Sequence, residues 1–402
     1  MMNPIDVVDN DLDFGPIHKR MQWYVDQEIL PCCNTLVMRG TDVLDFATFG
    51  YMDVEAKMPL TEDAIFRIYS NTKLVTSVAA MMLYERGAFG LDDALATYLP
   101  DFADMRVLTE AATSPLDTVA AGSQISIRQV MSHSAGLSYG FIEPESVIDR
   151  AYVAENTQSS KITLEELSAV LARLPLAYHP GSSWRYSFAT DVLARLVEVW
   201  SGQSFDEFLN HNIFEPLGMA DTGFWVPPEK CDRFTTMYAP EHLLEPMRGG
   251  LTKVDDAHDG VYTKLRPMLS GGAGLVSTVS DYLSFVRMLV SGGAWDGTQL
   301  LTTATLDIMR TNQLPARVGV NFPMWDMPGT VFGLGFALKE TAVDNEPVAA
   351  VGEYHWGGIA GTHSWMSPAA NLTGLCMTQR YPGFWHPFSH DFRSMAYEIA
   401  GG

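Results

Sequence analysis

Ser70 and Lys73, in Ser70-Asn71-Thr72-Lys73, put a hydroxyl nucleophile and an amine three residues apart, on one side of one helical turn. Of the eight lysines, only Lys73 follows a serine at that spacing. Amide dipoles at a helix start favour negative charge on Ser70 Oγ. The Lys73 ammonium does the same, and once neutral it can accept the serine proton. The tetrad also reads as a helix-capping serine beside an unrelated lysine, so its surroundings must choose. Tyr186 lies in Gly181-Ser182-Ser183-Trp184-Arg185-Tyr186-Ser187-Phe188. A phenol beside an ammonium loses its proton more readily than a free one, so Tyr186 is a candidate base; its alternative is packing. Trp356-Gly357-Gly358 follows a strand-like run. Paired glycines let a backbone pass close to a ligand, where an amide could join that of Ser70 in an oxyanion hole. A bulge or turn in an edge strand is the competing reading.

Gly136-Leu137-Ser138-Tyr139-Gly140 spells the G-x-S-x-G elbow. That motif needs a strand before its serine and a helix after it. Here Ile127, Val130 and Met131 precede it with helical spacing and Pro144 follows closely, so the motif is a decoy. His133 reads as a loop or helix-end residue.

The elements that must position these residues follow from periodicity. Ile65 to Tyr69 is short and extended. Leu74, Val75, Val78, Ala79, Met82 and Leu83 recur as one helical face, ended by Gly87. An N-terminal amphipathic helix holds Ile17, Met21, Tyr24, Val25 and Ile29 and stops at Pro31. Thr35 to Arg39 and Val43 to Phe49 form a hairpin around Gly40-Thr41-Asp42. From Leu91 to about Phe224 the pattern is helical and loop-rich, with a helix over about Phe188 to Trp200. A further helix covers Leu275 to Val290. Strands are expected at Phe332 to Leu338, Val348 to His355, His363 to Met366 and Leu372 to Thr378, before a last helix over about Ser389 to Ile399. Thr311 to Thr330, rich in Pro, Gly, Phe and Trp, reads as a long loop near a cleft between lobes or on the surface. The expected class is α+β: one antiparallel sheet flanked by helices, with a helical lobe. Residues 15–400 form one catalytic unit, with lobe 1 at about 15–90 plus 250–400 and lobe 2 at about 91–249. A cleft between them would hold a small molecule.

The chain has 402 residues, 47% of them hydrophobic, enough for a sizeable core. Its formal charge of −22, from 48 acidic and 26 basic residues, disfavours nucleic acid and anionic membranes as partners. The acidic start, Met1 to Gly15, shows no basic-then-apolar signal, and no apolar run reaches spanning length; a cytoplasmic protein is expected. Cys32, Cys33, Cys231 and Cys376 lack zinc or redox spacing and read as reduced and buried. The ten histidines form no H-E-x-x-H pattern, so neither a metal nor another cofactor is expected.

Together these features resemble the serine β-lactamase and penicillin-binding-protein superfamily, with the class C β-lactamases and family VIII carboxylesterases nearest. Ser132-His133-Ser134-Ala135-Gly136-Leu137, Ile213-Phe214-Glu215-Pro216-Leu217-Gly218-Met219 and Gly271-Gly272-Ala273-Gly274-Leu275 are also similar to family segments, in the expected order. The resemblance runs from about Ile17 to near the C-terminus and implies a β-lactamase/transpeptidase-like fold. It implies that Ser70 is acylated, that Lys73 assists its deprotonation, and that Tyr186 acts as general base and then proton donor. It places the oxyanion hole at the N–H groups of Ser70 and Ile359. Two positions depart from the family pattern. Phe188 stands where its Y-x-N motif has asparagine, and Trp356 where K-T-G has lysine. An apolar ring cannot hold a substrate amide or carboxylate, so both favour neutral esters.

The expected function is hydrolysis of small to medium carboxylic esters. An acyltransferase, a β-lactamase, D-amino-acid peptidase or amidase, and a non-enzymatic scaffold are the alternatives. Substrate contacts are expected from Trp356, Gly357, Gly358, Tyr139 and His363. His355 also flanks the third motif, and structural hydrogen bonding is an equal reading for both histidines. Of Tyr139, Phe141, Tyr178, Trp184, Trp325, Trp365 and Trp385, two or three are expected to line an apolar pocket.

Overall fold

The computed structural model describes residues 5–323, 325–343 and 346–401. The first four residues of the acidic N-terminal stretch lie outside these. An eight-stranded antiparallel sheet organises the molecule. Its strands are β1 (Cys32–Arg39), β2 (Asp42–Asp53), β3 (Met58–Pro59), β4 (Thr330–Phe332), β5 (Ala337–Lys339), β6 (Tyr354–Gly358), β7 (Thr362–Ser367) and β8 (Leu372–Met377). The spatial order is β4-β5-β6-β7-β8-β1-β2-β3, so both ends of the chain meet where β8 pairs with β1. Five helices matter most: α1 (Gly15–Asp26), α2 (Thr72–Glu85), α3 (Ala189–Ser201), α4 (Val279–Val290) and α5 (Pro387–Ala400). The architecture is α+β, as expected.

Strand periodicity divides two cores. Cys33 and Val37 of β1, with Trp365 and Cys376, pack against Ile17, Met21 and Phe392 of α1 and α5. Cys32 and Leu36, with Met366 and Leu375, face Leu74 and Val78 of α2. Alternation therefore sends the adjacent cysteines to opposite faces, and all four thiols are free and buried. The α2 helix, expected to bury one face, is buried over every residue from Thr72 to Leu83. It lies between the sheet and α3, which makes it apolar all round.

Two expected strands are shorter than their sequence patterns. Phe332 to Leu338 is broken by the Gly333-Leu334-Gly335 turn between β4 and β5. Gly335 has a φ of +94°, and a Cβ there would lie 2.1 Å from Ser77 Oγ of α2. Val348–Ala350 is a 3₁₀ turn after Pro347, and β6 starts only at Tyr354. Within the expected long loop, Asn321–Phe322 pairs with Trp325–Asp326. No helix among the described residues is long and apolar enough to cross a membrane.

Candidate active site

Ser70 sits in one 3₁₀ turn, Tyr69–Asn71, that runs straight into α2. Tyr69 has a φ of +43°, unusual for a side chain with a Cβ, and so turns the chain sharply between the strand Phe66–Arg67 and the helix. Neighbouring residues bolt this turn in place. Asn71 Nδ2 donates to Thr362 O at 3.0 Å, and Ser364 Oγ donates to Asn71 Oδ1 at 3.0 Å, tying the turn to β7. Thr72 Oγ1 accepts from Leu275 N at 3.1 Å, and Thr76 Oγ1 donates to Gly271 O at 2.7 Å. The two residues between Ser70 and Lys73 thus fasten Ser70 to its neighbours.

Lys73 is buried. Its Nζ donates to Gly272 O at 2.7 Å and to Tyr139 OH at 3.1 Å, and lies 3.5 Å from Ser70 Oγ. Burial pushes its pKa down from 10.5 to about 7, with the Asp191 carboxylate opposing the fall. Near neutral pH much of it is a free amine, with two protons for Gly272 and Tyr139 and a lone pair left for Ser70.

Tyr186 is held by Trp356, whose Nε1 donates to the phenol oxygen at 3.2 Å. Lys73 Nζ lies 4.5 Å from the centre of its ring. Burial pushes the Tyr186 pKa well up, although hydrogen bonds with Ser70 and Trp356 oppose the rise. The expectation of an easily lost phenol proton is therefore corrected: the resting phenol keeps its proton, and Lys73 is the group that titrates near neutrality.

Asp191, in the first turn of α3, escaped the sequence reading. It is buried, and its Oδ1 accepts from Ser270 Oγ at 2.6 Å and from Gly272 N at 3.2 Å. Its Oδ2 has no hydrogen-bond partner among the described residues. Gly272 is thus gripped by Lys73 at its carbonyl and by Asp191 at its N–H. A Cβ on Gly272 would lie 2.6 Å from Asp191 Oδ2 and 2.8 Å from Tyr139 OH. In sequence, an acidic residue early in a helix signals only a favourable dipole.

The third motif forms the end of β6. Trp356 pairs with Ser364, and Gly358 with Thr362, both facing the Ser70 side. A Cβ on Gly358 would come within 2.4 Å of Ile68 O, so glycine lets the strand press against the backbone leading to Ser70. Among the described residues, neither the Ser70 N–H nor the Ile359 N–H donates to a protein acceptor, and both residues line the pocket. They are free to hold an oxyanion.

The alternation that turns Trp356 inward turns His355 and His363 away. His355 pairs with Trp365, and His363 with Gly357, on the face covered by α5. His363 stacks on Phe384 at 5.5 Å and meets Phe388 at 5.8 Å. The expected substrate contact by His363 is therefore corrected: both histidines line a smaller cavity behind the sheet.

Ser70 opens into a cavity of about 440 Å³. Of the seven aromatics considered, Tyr139, Phe141, Trp325 and Trp385 line it, more than the two or three expected; Tyr178, Trp184 and Trp365 do not. Phe322, from the expected long loop, and Phe384, which carries no motif, are also in its wall, as are Gly357 and Phe188. Phe188 lies 4.4 Å from Tyr139, ring to ring. Ser138 is fully buried, donates to Asp149 and accepts from Arg185 Nε at 2.7 Å. His133 is buried beside Tyr186, ring centres 5.1 Å apart, with Nδ1 at 3.1 Å from Ser187 Oγ. Among the described residues no group of His, Cys, Asp and Glu is arranged to hold a metal.

The Beta-lactamase family model matches residues 18–392. Protein Rv1367c of Mycobacterium tuberculosis is 32% identical over 89% of this chain and 88% of its own. Esterase EstB of Burkholderia gladioli is 29% identical over 96% of both chains. The solved structure of EstCE1, described as a hydrolase with promiscuous acyltransferase activity, superposes with a TM-score of 0.78 at 27% identity, covering 95% of this chain and 98% of that one.

Proposed function

The chain belongs to the Beta-lactamase family, and from that premise we propose that it is a serine carboxylesterase acting on small to medium esters through a Ser70 acyl-enzyme. Family membership and the relatives make it a serine hydrolase of the esterase and acyltransferase kind. The observation that carries the finer reading is that Ser70, with Lys73 buried behind it, and Tyr186 meet in the wall of an aromatic pocket whose β6 side presents an indole where a cation would be needed for a β-lactam carboxylate.

In the proposed cycle, neutral Lys73 takes the Ser70 proton as Oγ attacks the ester carbonyl. The N–H groups of Ser70 and Ile359 receive the oxyanion. As the tetrahedral intermediate collapses, Tyr186 OH gives its proton to the leaving alcohol and is reprotonated from Lys73. Water then attacks the acyl-enzyme by the same relay in reverse. Asp191 acts through Lys73 and Gly272, holding the amine in place and moderating the fall in its pKa.

Initial rates on p-nitrophenyl butyrate, for wild type and Ser70→Ala in matched folded preparations, test this. Turnover that vanishes in the variant supports the Ser70 route. Surviving turnover moves the nucleophile elsewhere, and no wild-type turnover removes the esterase reading. The apolar wall also favours a second reading, acyl transfer to an alcohol, because a dry pocket concentrates an alcohol against water. An ester product formed with added alcohol would support it.

A further inference from the structure

The pocket has a polar outer end, built around one guanidinium. Its charged lining residues are Asp191, buried against the Lys73 cluster, and Arg266. Beyond Arg266 the pocket gives onto a second, open groove, and the two share Arg266 and Ser160. Arg266 thus stands where the aromatic pocket meets solvent.

Its position is defined by rings that lead back to the nucleophile. The guanidinium carbon lies 4.7 Å over the Tyr262 ring. Tyr262 OH donates to Ala273 O at 2.9 Å, and its ring meets that of Tyr69 edge-on at 6.0 Å. Tyr69 directly precedes Ser70. Arg266 is therefore two ring contacts from the nucleophile, braced by an aromatic face.

The guanidinium lacks a carboxylate partner. Among the described residues Arg266 forms no ion pair; of the three acidic residues that line the open groove with it, Asp259 pairs with no cation and the other two are committed elsewhere. Asp255 pairs with Arg67 at 2.6 Å, and Asp256 with Lys253 at 3.3 Å. Acidic residues outnumber basic ones 48 to 26, so the chain has no shortage of partners to offer. A guanidinium is shaped for planar recognition of an oxyanion, and the Ser160 hydroxyl can add a donor beside it.

We propose that Arg266, with Ser160, is an anion subsite that selects esters carrying a free carboxylate at the end remote from the scissile bond. The inference rests on the esterase reading above and names its substrate class. It differs in place from recognition at the third motif: the carboxylate would sit at the outer end of the pocket, and the β6 side stays apolar.

The experiment compares charged and neutral esters of equal length. On the acyl side these are the p-nitrophenyl monoesters of adipic, suberic and sebacic acids against their methyl-capped counterparts. On the alcohol side they are the butyrate ester of 4-hydroxybenzoic acid against that of its methyl ester. The reading is the charged-to-neutral ratio of kcat/KM in wild type, Arg266→Ala and Arg266→Lys. In at least one series the wild-type ratio is expected to favour the charged ester by about tenfold. Arg266→Ala should reduce the ratio by about 10- to 100-fold, chiefly through KM, and Arg266→Lys should retain part of it. Added salt should lower the wild-type ratio. The arm that responds tells whether the carboxylate belongs to the acid or the alcohol. Ratios that never favour the charged ester, or that are the same in Arg266→Ala, overturn the inference while neutral-ester turnover keeps the esterase reading. Failure of every ester overturns both.

Discussion

Ser70 and Ser138 both stand near tyrosines and ionisable groups, and they differ in how far their bonding is complete. Ser70 lies beside an amine whose pKa is lowered to about 7, faces an open cavity, and among the described residues leaves its own N–H without an acceptor. Ser138 sits in the better-known sequence motif. Yet Asp149 accepts a hydrogen bond from its hydroxyl, Arg185 Nε donates to its oxygen, and Tyr152 OH accepts from its N–H at 3.1 Å. Arg185 Nη2 also reaches Asp149 at 3.0 Å, which closes the network. A nucleophile needs unfinished bonding and room for a substrate; Ser138 has neither. Its neighbour Tyr139 is what the G-x-S-x-G segment contributes to the site, through its hydroxyl on Lys73.

The comparison breaks first if Ser70→Ala leaves ester turnover intact. A loss of about 10³-fold or more in kcat is expected, measured by initial rates. Lys73→Met, similar in length but unable to take a proton, should lower kcat/KM by about 10²- to 10⁴-fold; a loss below tenfold would remove Lys73 from the relay. Trp356→Phe deletes the hydrogen bond to Tyr186 and keeps an apolar wall, and should lower kcat by about 3- to 10-fold.

The pH profile sharpens the same contrast. In the proposed cycle Lys73 works as the neutral amine, so kcat/KM should rise as pH rises through about 7. Asp191 raises the Lys73 pKa, so Asp191→Asn should move that limb to lower pH; a limb that stays put would leave Asp191 with a packing role only. Ser138→Ala should have the smallest effect on chemistry, keeping kcat/KM within a few-fold of wild type. Its cost should fall on stability, about 1–3 kcal/mol by denaturant unfolding, since Asp149 and Arg185 each lose a buried partner. A large loss of activity in this folded variant would reverse the assignment of the two serines.

The sheet repeats the lesson at the scale of single residues. Trp356 and His355 are neighbours in sequence, and both looked like candidates for the site. A strand sends successive side chains to opposite faces, so one holds Tyr186 and the other faces the α5 side. The sequence pattern ended its strand at His355, whereas the strand runs from Tyr354 to Gly358, and its β7 partner and the layer on each side decided which parity faces Ser70. Likewise Asp191 was invisible because its importance comes from Gly272, which is distant in sequence and adjacent in space. Phe322 and Phe384 line the pocket from segments with no motif, brought there by the hairpin at Asn321–Asp326 and the turn before α5.

The family resemblance singled out the tyrosine and the glycine pair; local chemistry and periodicity were sufficient for the α+β class and the Ser70–Lys73 turn at the head of a buried helix. These depend on residues within one or two helical turns or strand repeats of each other. Tertiary structure alone decided the protonation state of that site. The pKa of Lys73 falls because α2 is enclosed on all sides, and that of Tyr186 rises because its own phenol is buried. Desolvation is a property of what surrounds a group, and the surroundings come from chain segments far apart in the sequence.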